Sequence, residues 1–405
     1  MANDHPTSKS NHNRPNLVRR TPFPASVSQA VGTPLQPAVV YASPDASALD
    51  DQYEGRAAGY TYAREGHPNA DVLAAKIDAL DSAPVPGIVL GSGMGAISAV
   101  YLGLLRAGDH IVAGDQLYGR SLRLLTQDLP RFGIECTFVD AGHAENVAAA
   151  MRPETKLVLV EVVSNPTLRI ADLDGIAAVT AGHDALLMVD NTFTTPRALR
   201  GFDHGADIVI HSVTKLLAGH SDVTLGYAAV ADPALRQPIV DAAVTWGLTP
   251  SPWDCWMAER GLHSFDLRFE RAQRTAGLIA EHLGGLAGVE AVIYPARPDH
   301  PDADRAAALL GANPGNMVSF RISGGRAQAN AFIRGAGEIP FAPTLGDVGT
   351  TLSHPASSSH RGLTEQGRAA LGINEGFFRL SVGIEEPNLL MDELTAAVAA
   401  ARAVP

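Results

Sequence analysis

Two short apolar runs organise the chain. Leu187, Met188 and Val189 lead to an acid, Asp190, and Ile208 to Ile210 lead to His211, Ser212, Thr214 and Lys215. Each run is bounded by polar or Gly-rich sequence, the pattern of buried strands that end at one edge of a sheet. Upstream, residues 88–105 read as a short apolar run, a Gly-Ser-Gly turn and an apolar helix. Before them, Val72, Leu73, Ile77 and Leu80 recur at helical spacing behind a cap at Asn69 or Asp71. Residues 107–170 alternate: strand 110–115, helix 117–129, strand 134–140, helix 144–151, strand 156–163. Strands and helices alternating at this pitch predict an α/β fold with a mostly parallel sheet and helices on both faces.

Past residue 228 the pattern changes. The Trp- and Pro-rich stretch 245–262 reads as irregular, and a long helix follows over 264–286 with a stripe of Phe265, Leu267, Phe269, Ala272 and Leu278. Strands over 289–295 and 317–323, a helix over 326–336, a polar loop over 344–360, a strand over 377–385 and a closing helix over 389–404 make a smaller α+β unit. The polar composition of residues 1–20 predicts a disordered tail. Residues 21–57, rich in Pro, predict an extended arm of the kind that lies across a second subunit. The expected domains are 58–258, an α/β domain, and 259–405, a C-terminal α+β domain.

Composition narrows the class. Of 405 residues, 46% are hydrophobic and 18% charged, enough to bury a sizeable core. The formal net charge of -12 argues against nucleic acid or an anionic membrane as partner. Two cysteines, Cys136 and Cys255, exclude a disulfide framework and a Cys-based zinc site, and suit a reducing cytosol. No apolar run reaches the roughly 20 residues of a spanning helix. The basic N-terminus lacks the apolar stretch of a secretory signal, so a cytoplasmic protein is expected.

The chemistry-bearing residues fall at strand ends. In open α/β sheets ligands sit outside the carboxyl ends of the strands. Lys215, flanked there by Ser212 and Thr214, is placed to be a desolvated, nucleophilic amine. Asp190 can pair with a protonated ring nitrogen, and the hydroxyls can hold a phosphate. The turn after residue 90 has two readings. Gly91-x-Gly93-x-x-Ala96 matches a dinucleotide fingerprint, and Ser92, Gly93 and Met94 can equally cradle a single phosphate at a helix N-terminus. Tyr62 and Arg64, two residues apart, share a face in extended backbone and can reach one anion. Tyr118 can stack on a planar ring. Glu161 lies near the end of the strand over 156–163 and Asn165 just beyond it, and Arg379 interrupts an apolar strand, where a buried guanidinium needs a partner such as a carboxylate.

Taken together, VDNTFTTP and HSVTKLLAGHSD, with YxR, SGMGA, SNPT, the HPASSSH loop and RLSVGIE in that family's order, resemble the transsulfuration (Cys/Met metabolism) family of pyridoxal-phosphate (PLP) enzymes over about residues 30–400. The resemblance implies a PLP-dependent transferase of fold type I. Lys215 would join the cofactor's aldehyde and shuttle protons, and Asp190 would keep the ring nitrogen protonated. Ser92, Gly93, Met94, Ser212 and Thr214 would bind the phosphate, helped across the dimer by Tyr62 and Arg64 of a neighbouring subunit. Tyr118 would stack on the ring, and Asn165, Arg379 and Thr344 would hold the substrate carboxylate. The implied assembly is a homotetramer of dimers with shared active sites.

Some positions depart from the family's pattern. Arg120 stands where Gly or Cys is common, Pro343 where cystathionine-handling members often have Glu, Thr344 for Ser, and Gly349 for Glu. His67-Pro68-Asn69 replaces the usual NPT. Arg120 at the site mouth suggests a substrate with a second carboxylate. The implied reaction is γ-elimination or γ-replacement on a sulfur amino acid or O-acylhomoserine, with β-elimination of the cystathionine β-lyase type as the alternative. A nicotinamide-dependent oxidoreductase and a non-catalytic binding homologue are more distant readings.

Overall fold

The computed structural model describes residues 24–405. The expected tail over 1–20 and the first residues of the expected arm lie outside the described residues. Residues 24–34 hold no helix or strand and belong to a unit distinct from Leu35–Pro405, which holds every element described below. No helix of the described residues is long and apolar enough to cross a membrane.

Seven strands form the larger sheet: β1 (Ile88–Leu90), β2 (His110–Gly114), β3 (Glu135–Val139), β4 (Thr155–Glu161), β5 (Leu186–Asp190), β6 (Ile208–His211) and β7 (Gly226–Val230). Their spatial order is β1-β7-β6-β5-β4-β2-β3, and only β7 runs antiparallel to its neighbours. The central strands are apolar on both faces, as helices on both sides require. One face packs Met188, Ile208 and Ile210 against the helix Gly93–Leu104. The other packs Leu187, Val189 and Val209 with Leu173 and Ile176 of the helix Leu173–Ala181. The predicted mostly parallel α/β sheet is present, and its carboxyl edge gathers the ends of β1, β4, β5 and β6.

A second, four-stranded antiparallel sheet contains β8 (Val289–Ile293), β9 (Met317–Ile322), β10 (Thr351–Ser353) and β11 (Phe377–Ser381), in the order β10-β11-β9-β8. Phe320, Phe332 and Phe378 interlock at its centre, with the Phe332 and Phe378 rings 4.7 Å apart. The helix Phe265–Gly284 serves both cores: Phe265 and Phe269 pack with the larger domain, and Ile279 and Leu283 with the smaller. The expected boundary between residues 258 and 259 falls inside the helix Pro252–Leu262.

Several local expectations are corrected. The helix Pro68–Asp81 is capped by His67, whose Nδ1 accepts from the Ala70 amide at 3.1 Å. Pro at the first helical position starts the helix earlier than Asn69 or Asp71 would. Asn69 instead accepts from the Gln36 amide at 2.9 Å. The expected helix over 117–129 is a short α-helix, Gly119–Arg123, then a π-turn over Leu124–Asp128 and a 3-10 turn over Leu129–Phe132, where Pro130 has no amide to donate. The stretch read as irregular contains the helix Pro252–Leu262, capped by Ser251. The expected extended arm contains the helix Ala46–Tyr53, capped by Asp45. The polar loop over 344–360 contains β10 and a 3-10 turn, and the last strand stops at Ser381.

Candidate active site

A cavity of about 250 Å³ opens at the carboxyl edge of the larger sheet. Lys215 reaches it from the turn that follows β6, where the Lys215 amide donates to the Ser212 carbonyl at 3.1 Å. Its Nζ lies 3.3 Å from the Thr344 hydroxyl. Burial, and then the nearby Arg379 charge, hold the Lys215 amine below the ordinary lysine range. A lowered amine pKa is what a nucleophile and proton carrier needs.

Asp190 closes β5 and accepts from the Thr192 amide at 3.0 Å. Burial raises its carboxyl, opposed by the Thr192 bonds and by His211. Glu161 closes β4 in register with Asp190, so two acids stand side by side on adjacent strands. The Glu161 carboxylate accepts from the Tyr118 amide at 2.6 Å, and burial followed by the Asp190 charge pushes it well above the usual range. Thr192 ties the strand ends together, its hydroxyl accepting from the Ser212 amide at 2.8 Å.

The turn after β1 abuts the turn after β6. Ser92 caps the helix Gly93–Leu104, its hydroxyl accepting from the Gly95 amide at 2.9 Å. A Cβ on Gly93 would stand 2.7 Å from Ser212 Cβ, so only glycine lets the two turns close around a small anion. The first-turn amides of that helix supply the partial positive charge a phosphate needs. Thr214 also lines the cavity, although its hydroxyl both donates to the Leu225 carbonyl and accepts from the Leu225 amide.

Arg379 lies mid-strand in β11 and is only 5% exposed. It donates to the Asn165 side-chain oxygen at 2.5 Å and to the Thr344 carbonyl at 2.6 Å, both neutral acceptors. Its Nε is buried with no partner, and burial lowers the guanidinium to about 10. A buried cation that lines the cavity, held only by neutral acceptors and with one donor orphaned, is built to receive a carboxylate. The donor set therefore fits pyridoxal phosphate: an amine, an acid, a phosphate cradle and a carboxylate receptor converge on one cavity.

Eleven of the sequence-predicted residues line this cavity: Lys215, Asp190, Ser92, Gly93, Met94, Tyr118, Ser212, Thr214, Asn165, Thr344 and Arg379. Tyr62, Arg64 and Arg120 do not. Tyr62 and Arg64 are exposed, with the guanidinium 5.2 Å from the Tyr62 ring centre. Arg120 sits exposed in the first turn after Tyr118. Sequence reasoning gave no site role to Glu161, Thr192, Phe193, Ser353, Ser358 or Ser359, which line the cavity as well. Phe193 lies beneath Arg379, 5.9 Å from ring centre to guanidinium carbon. The sequence cue for the serines was the HPASSSH loop itself.

An open, mostly parallel sheet with a lysine, an acid and a glycine-shaped anion cradle at its carboxyl edge defines a PLP-dependent enzyme of fold type I. The profile of the Cys/Met metabolism PLP-dependent enzymes matches residues 16–399, and the chain belongs to that family. It is 36% identical to an L-methionine gamma-lyase of Porphyromonas gingivalis over 90% of this chain and 91% of that one. It is 39% identical to a cystathionine beta-lyase of Bacillus subtilis over 80% of this chain and 83% of that one. Among solved structures, a cystathionine gamma synthase of Xanthomonas oryzae pv. oryzae, in complex with cystathionine, matches with a TM-score of 0.87 and 36% identity, covering 93% of this chain and 95% of that one. The dinucleotide reading of Gly91 to Ala96 gives way to the single-phosphate one, since the family's cofactor is PLP.

Proposed function

We propose that this chain catalyses γ-elimination or γ-replacement on a sulfur amino acid or an O-acylhomoserine. The observation that carries the reading is the convergence of Lys215, Asp190 and Arg379 on one cavity, with the amine lowered and the guanidinium lacking an anionic partner. Bound PLP supplies an aldehyde to which an amine can attach and an electron-withdrawing ring. Asp190 holds the proton on the ring nitrogen. Ser92, Gly93, Met94, Ser212 and Thr214 hold the phosphate. The Arg379 guanidinium and the Asn165 amide would orient the substrate carboxylate, and so fix which bond at Cα faces the lysine. Lys215 Nζ takes the Cα proton and can return it to a neighbouring carbon. Tyr118, 43% exposed at the rim, would stack on the bound ring and could protonate the departing thiolate or carboxylate.

Tyr62 and Arg64 are assigned to the phosphate of a partner subunit, which makes a dimer the active unit and a pair of dimers the expected assembly. Their exposure on their own chain supports this assignment. The cytoplasm is the expected compartment. The test is direct: holoprotein is yellow, is bleached by borohydride, and loses both properties in Lys215→Ala. Release of 2-oxobutanoate from a homocysteine-type skeleton supports γ-chemistry, and release of pyruvate instead selects the β-lyase reading. Colourless protein that takes up no PLP refutes both.

A further inference from the structure

An amine that must reach first a cofactor and then a substrate needs a fixed anchor. The Lys215 backbone lies in neither a strand nor a helix. β6 ends at His211, and the chain then coils tightly. Within the coil the Ala218 amide donates to the Val213 carbonyl at 3.0 Å and the Gly219 amide to the Lys215 carbonyl at 2.8 Å. A coil this short has no donors of its own for its last carbonyls. Those of Leu216 and Leu217 are taken by Arg268, from the helix Phe265–Gly284. Arg268 Nη1 donates to the Leu216 carbonyl at 2.9 Å and Nη2 to the Leu217 carbonyl at 3.1 Å. Nη2 also donates to the Gly261 carbonyl at 3.0 Å, and Nε to the Ser264 hydroxyl at 3.1 Å.

Packing alone would not select a guanidinium here. Arg268 is 7% exposed, and all four of these acceptors are neutral. Burial holds it below the ordinary arginine range, and the Asp347 charge opposes that shift. An apolar side chain of similar length would fill the space with less desolvation cost. It could not hold two successive carbonyls, which a planar fork does. The surroundings are shaped to admit the fork. Gly219 has φ +76, and a Cβ there would collide with Arg268 Nη1. On the other side a Cβ on Gly346 would stand 2.8 Å from the Lys215 carbonyl carbon. The Val348 amide donates to the Gly219 carbonyl at 2.7 Å. The lysine turn is thus gripped between Arg268 and the loop that brings Thr344 to Nζ.

We propose that Arg268 is a positioning residue for Lys215: through the Leu216 and Leu217 carbonyls it fixes the turn from which the amine reaches the cofactor's aldehyde. Arg268 does not line the cavity, so it acts only through that turn. The inference rests on the reading of Lys215 as the cofactor's anchor and goes beyond it. Without the guanidinium two buried carbonyls lose their donors, and the turn shifts to find others. A displacement of Nζ on the order of 1 Å slows amine attachment and proton transfer by at least about tenfold. The phosphate cradle is built on Ser92, Gly93 and Ser212, ahead of the carbonyls that Arg268 holds. Non-covalent binding of the cofactor's phosphate is therefore retained.

The experiment uses full-length apoprotein of the wild type, of Arg268→Met, which keeps the bulk, and of Arg268→Lys, which keeps the charge but cannot span two carbonyls. Each is mixed with PLP and, separately, with pyridoxine 5'-phosphate, whose alcohol replaces the aldehyde so that it can only sit in the cradle. In Arg268→Met the rate constant for development of the yellow colour is expected to fall at least about tenfold. The Kd for pyridoxine 5'-phosphate, by calorimetry, is expected to change less than about twofold. Once loaded, that variant should lose at least about tenfold in kcat per bound PLP, with KM moved less than about threefold. Arg268→Lys should show the same split at about threefold or more. Arg271→Met, which removes a neighbouring arginine paired with Glu386, is expected to match the wild type throughout. Parallel loss of affinity for both ligands would mark a merely structural role and overturn the inference, as would an unchanged rate of colour development. If Arg268→Met is insoluble, Arg268→Lys decides by the same readouts. Wild-type protein that binds pyridoxine 5'-phosphate yet never turns yellow with PLP removes Lys215 as the anchor, and the inference with it.

Discussion

Burial sets the protonation of His360 in the loop beside the cavity. It is 3% exposed, its Nδ1 pairs with the Ser359 hydroxyl at 2.9 Å, and burial followed by the Arg379 charge lowers its pKa to about 4. The unfolded chain takes up this proton near the ordinary histidine value of about 6.5. Between those values the unfolded state holds a proton that the folded state lacks, so this stability is full above the upper value and is lost as pH falls toward the lower one. Glu161, raised by burial, contributes with the opposite sign in acid, so the informative quantity is a difference. His360→Gln is expected to gain on wild type by at most about 1.4 kcal/mol per pH unit on acidification across this window. Urea midpoints at several pH values check it; a pH-independent difference refutes it.

The same scale shows what a sequence can disclose. Lys215 and Asp190 were readable because each follows an apolar run that must be a strand. Glu161 was visible as a strand end, but its role depends on the register of β4 against β5, which puts it beside Asp190. Ser359 was visible in a polar loop, but its contact with Gly119 spans more than two hundred residues and leaves no local pattern.

At the scale of elements, the phosphate cradle depends on the packing of two turns. Gly93→Ala pushes a methyl against Ser212 Cβ and, through the short β1 strand, against the start of β7, where Gly226 already packs on Ser92. Overpacking of this kind costs about 1–3 kcal/mol. Here the expected cost falls first on the cofactor: PLP affinity, measured by absorbance titration of the apoprotein, drops at least about tenfold while far-ultraviolet dichroism is retained. Unchanged affinity would show that the turn is not the phosphate site. Strand β7 itself went unread because Gly226-Tyr-Ala-Ala-Val has few branched residues. Its place between β1 and β6 comes from tertiary pairing. The helix Pro233–Thr245 was obscured by Pro238 in its interior. Strongly periodic elements such as β4, β6 and the helix Pro387–Arg402 were legible because burial on two faces or one stripe forces the pattern.

For the whole molecule, the site belongs to both sheets. β11 supplies Arg379, the end of β4 leads to Asn165, and their hydrogen bond at 2.5 Å closes the cavity across the two domains. A single chain nonetheless leaves Tyr62 and Arg64 exposed and away from its own cavity. If they complete the phosphate site of a neighbour, two defective chains can repair each other. In a hybrid dimer of Arg64→Ala with Lys215→Ala, one site receives both lesions and the other receives neither. About one site in two per hybrid is then wild type, as two-fold symmetry requires. Each variant alone is expected to be impaired, Lys215→Ala fully and Arg64→Ala through weaker PLP binding. Mixing after mild dissociation and reassociation should restore activity that neither parent has at limiting PLP. Were Arg64 to act within its own chain, every hybrid site would carry one lesion or the other, and no mixture would exceed the sum of its parts.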